Sequence, residues 1–220
     1  MVQPGVFLFA GQSGRSVYQG AVMSITLSHR SLMFCLSGCA QAWFAAGAYA
    51  EAADWQIDPD HFSIVFEADH IGYQQQLGFF LEGSGRFRFD PETDVLSSGR
   101  VEIMSDSLFS NHDARDNHLK GRDFLNARRH ALIVFEVSEY FVAEGVLRGS
   151  LTMLDETHPI DLEVVVNKQA VYPFGHRKDT LGISASAAIL RSQWGMDYGV
   201  ANNMVGDEVK MRFEFEAIRQ

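Results

Sequence analysis

The C-terminal stretch "VKMRFEFEA", residues 209–217, alternates strictly between apolar and charged side chains. The apolar parity consists of Val209, Met211, Phe213, Phe215 and Ala217, and the charged parity of Lys210, Arg212, Glu214 and Glu216. Successive side chains of a β-strand point to opposite faces, so a period of two places all the apolar groups on one side. The stretch therefore predicts a strand with one dry face and one wet face.

Similar runs recur along the chain and predict about eight strands. They are "FSIVFEA" at 62–68, "GRFRFD" at 85–90, "VEIM" at 101–104, "ALIVFEV" at 131–137, "GVLRGSLTML" at 145–154, "IDLEVVVN" at 160–167 and "LGISASAAI" at 181–189. Turn residues separate them, as in "DPD" at 58–60, "EGSG" at 82–85 and "DPET" at 90–93. Strands of this kind, joined by short turns, favour an all-β fold in which an eight-stranded antiparallel sheet closes into a barrel.

Helical signals are few. Residues 116–126 could form a short helix in which Leu119, Phe124 and Leu125 share a face, and "GYQQQLG" at 72–78 is a second candidate.

The strand at 181–189 has little bulk on either face. Ala185 and Ala187 share one parity, and Ser184, Ser186 and Ala188 share the other. An eight-stranded barrel either fills its interior with side chains or holds one small ligand there. Small residues could leave an apolar space for a guest or receive a packed helix, and the pattern leaves both readings open.

The charge is distributed unevenly along the chain. The formal net charge is −10, and residues 1–50 contain Arg15 and Arg30 but no acid, so the remainder carries −12. A body this acidic repels phosphate backbones, which attract Lys and Arg. We therefore exclude nucleic acid as a partner.

The first fifty residues predict a targeting segment, and the barrel domain is expected at 51–220. The apolar run "SLMFCLSGCAQAWFAAGAYA" follows His29 and Arg30 and ends in Ala48-Tyr49-Ala50, a pattern typical of signal-peptide cleavage. We predict cleavage after Ala50 and export. Three alternatives stay open: a membrane anchor, a start at Met23, and lipidation of Cys39 within the lipobox-like "LSGC".

Both cysteines, Cys35 and Cys39, lie in that segment. The mature domain therefore contains no disulfide and no thiol chemistry, and its core alone must stabilise it.

The polar run "NHDARDNHLKGRDFLNA", residues 111–127, is the strongest candidate for chemistry. Its two histidines, His112 and His118, are six positions apart, which puts them on different faces of a helix and fits no close His pair of a metal enzyme. The favoured interpretation is an ion-paired lid in which Arg115, Asp116, Lys120 and Asp123 pair with each other or with backbone; contact with a lipid head group is the alternative. Elsewhere no Gly-x-Ser-x-Gly elbow, Gly-rich phosphate loop or zinc spacing occurs.

Several segments, in order, resemble the YceI-like family of exported lipid-binding proteins. The opening strand matches through Trp55, Ile57, Asp58, His61, Ser63, His70 and Gly72. The polar run is similar to the family's Arg-Asp-x-His-Leu-Lys stretch through Arg115, Asp116, His118, Leu119, Lys120, Asp123 and Phe124. The closing strands match through Gly182, Ala185, Arg191, Ser192, Trp194, Gly195, Met196, Gly206, Asp207, Glu208 and Val209.

This resemblance implies a lipocalin-like barrel in the periplasm that encloses a polyisoprenoid, a quinone or another long-chain amphiphile. No catalytic residue and no metal ligand is predicted. The expected ligand-binding residues are Phe66, His70, Ile103, Arg115, His118, Leu119, Phe124, Phe135, Leu162, Val164, Ile183, Ala185, Trp194 and Phe213.

Two rival functions remain. One is an enzyme acting on a hydrophobic small molecule with His118, Asp116 and Arg115 as its acid/base and charge-stabilising groups. The other is a barrel with a packed interior that serves only as an interaction module for a membrane redox protein. A homodimer is also left open.

Overall fold

We describe residues 52–220 of a computed structural model. The strands are β1 (Ala53–His70), β2 (Gln74–Phe80), β3 (Gly83–Asp90), β4 (Val95–Met104), β5 (Leu108–Phe109), β6 (Leu132–Phe141), β7 (Val146–Met153), β8 (Glu156–Val171), β9 (Asp179–Leu190) and β10 (Val205–Arg219). One α-helix, α1 (Asp113–Leu119), and two 3₁₀ turns, Ser105–Ser107 and Arg191–Trp194, complete the order. The predicted targeting segment, its cleavage, the start at Met23 and lipidation of Cys39 lie outside the described residues.

Eight of the strands form a closed ring. The hydrogen-bonded order is β1, β3, β4, β6, β7, β8, β9 and β10, and β10 pairs back with β1. All of these pairings are antiparallel. The ring closes along nearly the whole length of β1, from Trp55 opposite Arg219 to His70 opposite Val205. The predicted eight-stranded antiparallel barrel with a short helix is confirmed.

The helix predicted at 72–78 is wrong. β2 pairs with the C-terminal half of β1, and β5 pairs with β2 outside the ring. Ile71 and Gly72 adopt positive φ angles of 55° and 73° in the tight turn before β2. This turn brings the glutamine run directly alongside β1, where ladder hydrogen bonds replace helical ones.

Two predicted turns also differ from the structure. Residues 58–60 form an irregularity inside β1, where the register with β10 shifts between Ile57 and Phe62. Gly83–Gly85 already belong to β3 and face Val101–Ile103. The "DPET" turn is present, and the Asp90 carboxylate accepts hydrogen bonds from the Glu92 N–H and the Thr93 hydroxyl.

The helix in the polar run begins and ends earlier than predicted. It starts after His112, whose Nδ1 accepts from the Arg115 N–H, and it ends at Leu119. Beyond it the chain folds back, with the Leu125 N–H donating to the Leu119 carbonyl and Asn126 at a φ of 43°. A continuous helix through residue 126 is therefore replaced by one short helix and a series of turns.

The core lies inside the ring in two clusters. The larger one surrounds Ile64, Phe135, Leu151 and Trp194. The smaller one contains Trp55, Phe89, Leu181 and Ala217 at the end where β1 begins and β10 finishes. Trp55 is almost fully buried and its indole N–H donates to the Phe89 carbonyl. No helix within residues 52–220 has the length and hydrophobicity to cross a bilayer.

Gly149 in β7 allows a close approach between two strands. A Cβ at this position would overlap Cζ of Phe135 and the Glu136 carbonyl oxygen. We expect Gly149→Ala to lower the free energy of unfolding by about 1–3 kcal/mol, the usual range for overpacking. Urea denaturation measures this change.

The matched control is Gly182→Ala on β9, where the nearest atom to a new Cβ is 3.9 Å away. This substitution should leave stability unchanged or raise it by a few tenths of a kcal/mol. Equal stability of the two variants would contradict the close approach at Gly149.

Candidate functional site

The inward faces of the strands enclose a cavity that runs along the barrel. Its volume is about 230 Å³, counted as the space in which the centre of a water molecule can move, and its surface is almost wholly carbon. Since one water's share of the liquid volume is about 30 Å³, the space corresponds to roughly eight waters. An apolar void of this size is suited to a hydrocarbon chain rather than to water.

Strand β9, which the sequence shows to carry small side chains at 184–188, forms part of the cavity wall. Ala185 lines the cavity, together with its cross-strand neighbours Val164 on β8 and Phe213 on β10. Across the sheet, the Ser184 hydroxyl donates to the Glu214 carboxylate and accepts from Asn167. Ala185 therefore opens inward onto free space, and the outward hydroxyl of Ser184 is hydrogen-bonded.

A cap formed by α1 and the turns after it contributes to one end of the cavity. Leu119, Phe124 and Leu125 line the void, as the shared face in the sequence predicts. Met196, which follows β9 in the chain, lines it as well. The cap is thus apolar on its inner side, and its charged groups lie elsewhere.

Arg191 is a buried cation beside this cap. It is 3% exposed and lines the cavity, and its guanidinium lies 5.5 Å from the centre of the Phe124 ring. It donates four hydrogen bonds to the carbonyls of Met196, Tyr198, Val205 and Gly206.

Burial lowers the pKa of the Arg191 guanidinium below its ordinary value, an effect opposed by the charges of Asp207 and Asp197. Since four carbonyls occupy its donors, Arg191 chiefly holds the 196–206 segment against the barrel.

Tyr140 on β6 is another polar group of the lining, and it packs against the smaller core cluster. Burial, and then the charge of Asp94, raises the pKa of its phenol. The hydroxyl therefore stays neutral at ordinary pH and can donate to, or accept from, a polar ligand group.

The polar run divides into two separate pairings. Asp116 is buried and accepts from both the N–H and the hydroxyl of Ser110, while Arg115 donates to the hydroxyl and carbonyl of the same serine. His118 instead pairs with Asp123 at 3.0 Å, with both side chains about half exposed. None of Arg115, Asp116 and His118 lines the cavity. Arg115 and Asp116 therefore bond to the backbone and hydroxyl of Ser110 rather than to each other, and the role of the segment as an ion-paired lid stays a prediction.

Ten of the fourteen predicted ligand-binding residues line the cavity. They are Phe66, Ile103, Leu119, Phe124, Phe135, Leu162, Val164, Ile183, Ala185 and Phe213. Their binding role stays a prediction.

Four predicted residues lie outside the lining. His70 is exposed at the end of β1, and Arg115 and His118 belong to the lid pairings. Trp194 is 1% exposed in the core, where its indole N–H donates to the Leu151 carbonyl. The alternation of apolar and polar residues cannot identify these positions, because they lie in turns, in the helix or after a strand end.

Other lining residues were missed by the sequence analysis. They include Phe62, Phe80, Phe87, Tyr140, Arg191, Met196, Met211 and Phe215. Phe62, Phe87, Met211 and Phe215 share the parity of residues already recognised as inward, so the same alternation contained the signal. Arg191 and Met196 follow a strand end, where the period of two no longer applies.

The barrel geometry and the comparisons with known proteins agree. The model of the YceI-like domain family matches residues 55–217. The chain belongs to the YceI-like family. A relative of this YceI-like protein is a UPF0312 protein of Pseudomonas aeruginosa (strain LESB58), 33% identical over 186 residues that cover 81% of this chain and 93% of the relative.

Two solved structures share the barrel. The Campylobacter jejuni YceI protein has a TM-score of 0.63 and 24% identity, covering 69% of this chain and 90% of that one. A polyisoprenoid binding domain from Saccharophagus degradans, implicated in plant cell wall breakdown, has a TM-score of 0.60 and 11% identity, covering 77% of this chain and 100% of that domain. At these identities the likeness concerns the fold.

Proposed function

We propose that this YceI-like protein binds the tail of a polyisoprenoid or other long-chain amphiphilic lipid inside the barrel and carries or stores it in the periplasm. The observation that carries the proposal is the apolar cavity lined by residues from both ends of the barrel. The Saccharophagus degradans structure with the same fold is a polyisoprenoid binding domain, and this supports a polyisoprenoid as the ligand class. Periplasmic location is supported by the signal-like run at 31–50.

The energetics favour binding through the tail. Burial contributes about 0.8 kcal/mol per CH₂, so about fifteen buried carbons supply on the order of 12 kcal/mol before the ordering costs of association. A hydrogen bond to a head group contributes only about 1–3 kcal/mol. A quinone or a polyprenyl carrier would satisfy the tail requirement, and selection between them rests on polar groups of the lining such as the Tyr140 hydroxyl.

Extraction of the native ligand tests the proposal. Full-length protein is expressed in a bacterial host, the exported form is purified without detergent and extracted with organic solvent, and the extract is analysed by mass spectrometry. We expect a long apolar compound in near-stoichiometric amount. Repeated recovery of lipid-free protein that also fails to bind added prenyl lipids would overturn the proposal and would favour the interaction-module hypothesis.

His118→Gln separates the carrier from the enzyme hypothesis. His118 does not line the cavity, and its partner is Asp123. We therefore expect the affinity for a fluorescent prenyl lipid to change by less than about threefold. Loss of an acid/base group from an enzyme lowers turnover by about 10²-fold or more. Chemical conversion of bound lipid by the wild type that disappears in this variant would refute the carrier function.

A further inference from the structure

Three metal-ligating side chains meet on the outer surface of the barrel, away from the lumen. Asp58 and His61 flank the irregularity in β1, and Glu216 belongs to the charged parity of β10. The His61 Nδ1 lies 2.8 Å from Asp58 Oδ2 and 3.7 Å from Glu216 Oε2. The three ligand atoms all lie within 4.8 Å of one another. They belong to strands far apart in sequence, so the barrel closure brings them together.

A second observation points independently to a cation. The Oε2 atom of Glu216 is buried and has no hydrogen-bond partner. A buried carboxylate oxygen without a donor is costly, because desolvation is then uncompensated. Glu216 and Asp58 are both partly shielded, with side chains 30% and 14% exposed. A metal ion bonded to both carboxylates would supply the missing partner.

The β8–β9 turn covers the same place. Tyr172 lies beside the Glu216 and Asp58 carboxylates. Burial, then the charge of Glu216 and a hydrogen bond to it, and then the charge of Asp58 raise the pKa of the Tyr172 phenol. Its ring centroid is 6.4 Å from that of His61, and it stacks on His176 at 4.7 Å. His176 therefore brings a second imidazole to the neighbourhood of the three ligands.

We infer that Asp58, His61 and Glu216 form a binding site for a divalent transition-metal ion, with Zn²⁺ as the favoured species. One imidazole nitrogen and two carboxylate oxygens form a ligand set that Zn²⁺ accepts in four-coordinate geometry. Water would complete the coordination. The ion connects β1 to β10 at the irregularity, so its role is to stabilise this side of the barrel.

The test is a titration of metal-stripped full-length protein with Zn²⁺, followed by calorimetry. We expect one equivalent per chain and a higher thermal midpoint with the metal than without it. Glu216→Gln and His61→Gln should each weaken binding by at least about tenfold and remove the thermal shift. Co²⁺ should give the visible absorption of a low-symmetry nitrogen and oxygen site, lost in the same two variants.

His130→Gln is the matched control. His130 pairs with Asp155 at 3.2 Å, a two-member His–carboxylate pair elsewhere on the barrel. This variant should keep the wild-type Zn²⁺ affinity. Absence of stoichiometric Zn²⁺ binding would overturn the inference, and so would equal Zn²⁺ affinity in the wild type and Glu216→Gln. Loss of Zn²⁺ affinity in His61→Gln alone would also overturn it, because that result indicates binding by a single surface histidine. Melting curves of the metal-free variants verify that they fold.

Discussion

Ala185→Trp is expected to abolish most lipid binding while leaving the barrel folded. Ala185 is 7% exposed and lines the cavity between Val164 and Phe213. An indole at this position occupies the space of at least about three methylenes of a bound chain. At about 0.8 kcal/mol each, this loss amounts to about 2.4 kcal/mol, or roughly a 50-fold weaker Kd. Competition with a fluorescent prenyl lipid measures the change.

The control for this substitution lies on the same strand and points the other way. Ala188 is exposed and faces outward on β9. Ala188→Trp adds the same side chain at the outer surface, so it should leave the Kd within about twofold of the wild type. If both variants bind equally well, the ligand does not occupy the lumen at Ala185. If Ala185→Trp fails to fold, the smaller Ala185→Leu provides the same test with a lesser expected loss.

Arg191→Met is expected to cause the largest loss of stability. The substitution keeps most of the side-chain length but leaves the carbonyls of Met196, Tyr198, Val205 and Gly206 without their donor. Hydrogen bonds to a charged group are worth about 1.5–3 kcal/mol each, and several are lost together. Because water can reach some of the carbonyls after the segment relaxes, we expect about 3–5 kcal/mol in urea denaturation.

Arg212→Met is the matched control for the loss of a guanidinium. Arg212 is 68% exposed and pairs with Glu214 at 3.5 Å. An exposed ion pair of this kind contributes about 0–1 kcal/mol, so the control should stay near wild-type stability. A similar small loss in Arg191→Met would mean that the 196–206 segment is held by its apolar contacts rather than by the buried cation.

The alternation of apolar and polar side chains predicted most of the barrel, because the face to which each side chain of a strand points depends only on its position along that strand. "VKMRFEFEA" became β10, with Phe213 and Phe215 inward and Glu214 and Glu216 outward, as its parity requires. The glutamine run at 74–76 was misjudged because it carries little hydrophobic signal, and its strand form depends on pairing with β1. The "DPD" segment was misjudged for a related reason, since pairing with β10 on both sides of it, at Ile57 and at Phe62, carries the strand through the irregularity.

In the polar run at 111–127, too, one part of the structure was predictable from the sequence and another part was not. Its abundance of charged residues predicted pairing among these side chains or with backbone. Asp116 accepts hydrogen bonds from the N–H and the hydroxyl of Ser110, a neutral residue, and His118 pairs with Asp123. The identity of the partners was not predictable. It depends on the backbone turns after Leu119, which spacing alone does not determine.

By itself the sequence determined the eight strands of the ring, their inward and outward faces, and the apolar character of the space they enclose, because these follow from a period of two. Only the tertiary structure decided that the space beside Ala185 is a cavity, that Arg191 is buried among carbonyls, and that His61 approaches Glu216. All three features depend on distances between residues that are far apart in the chain. They depend on register and barrel closure, which no local pattern contains.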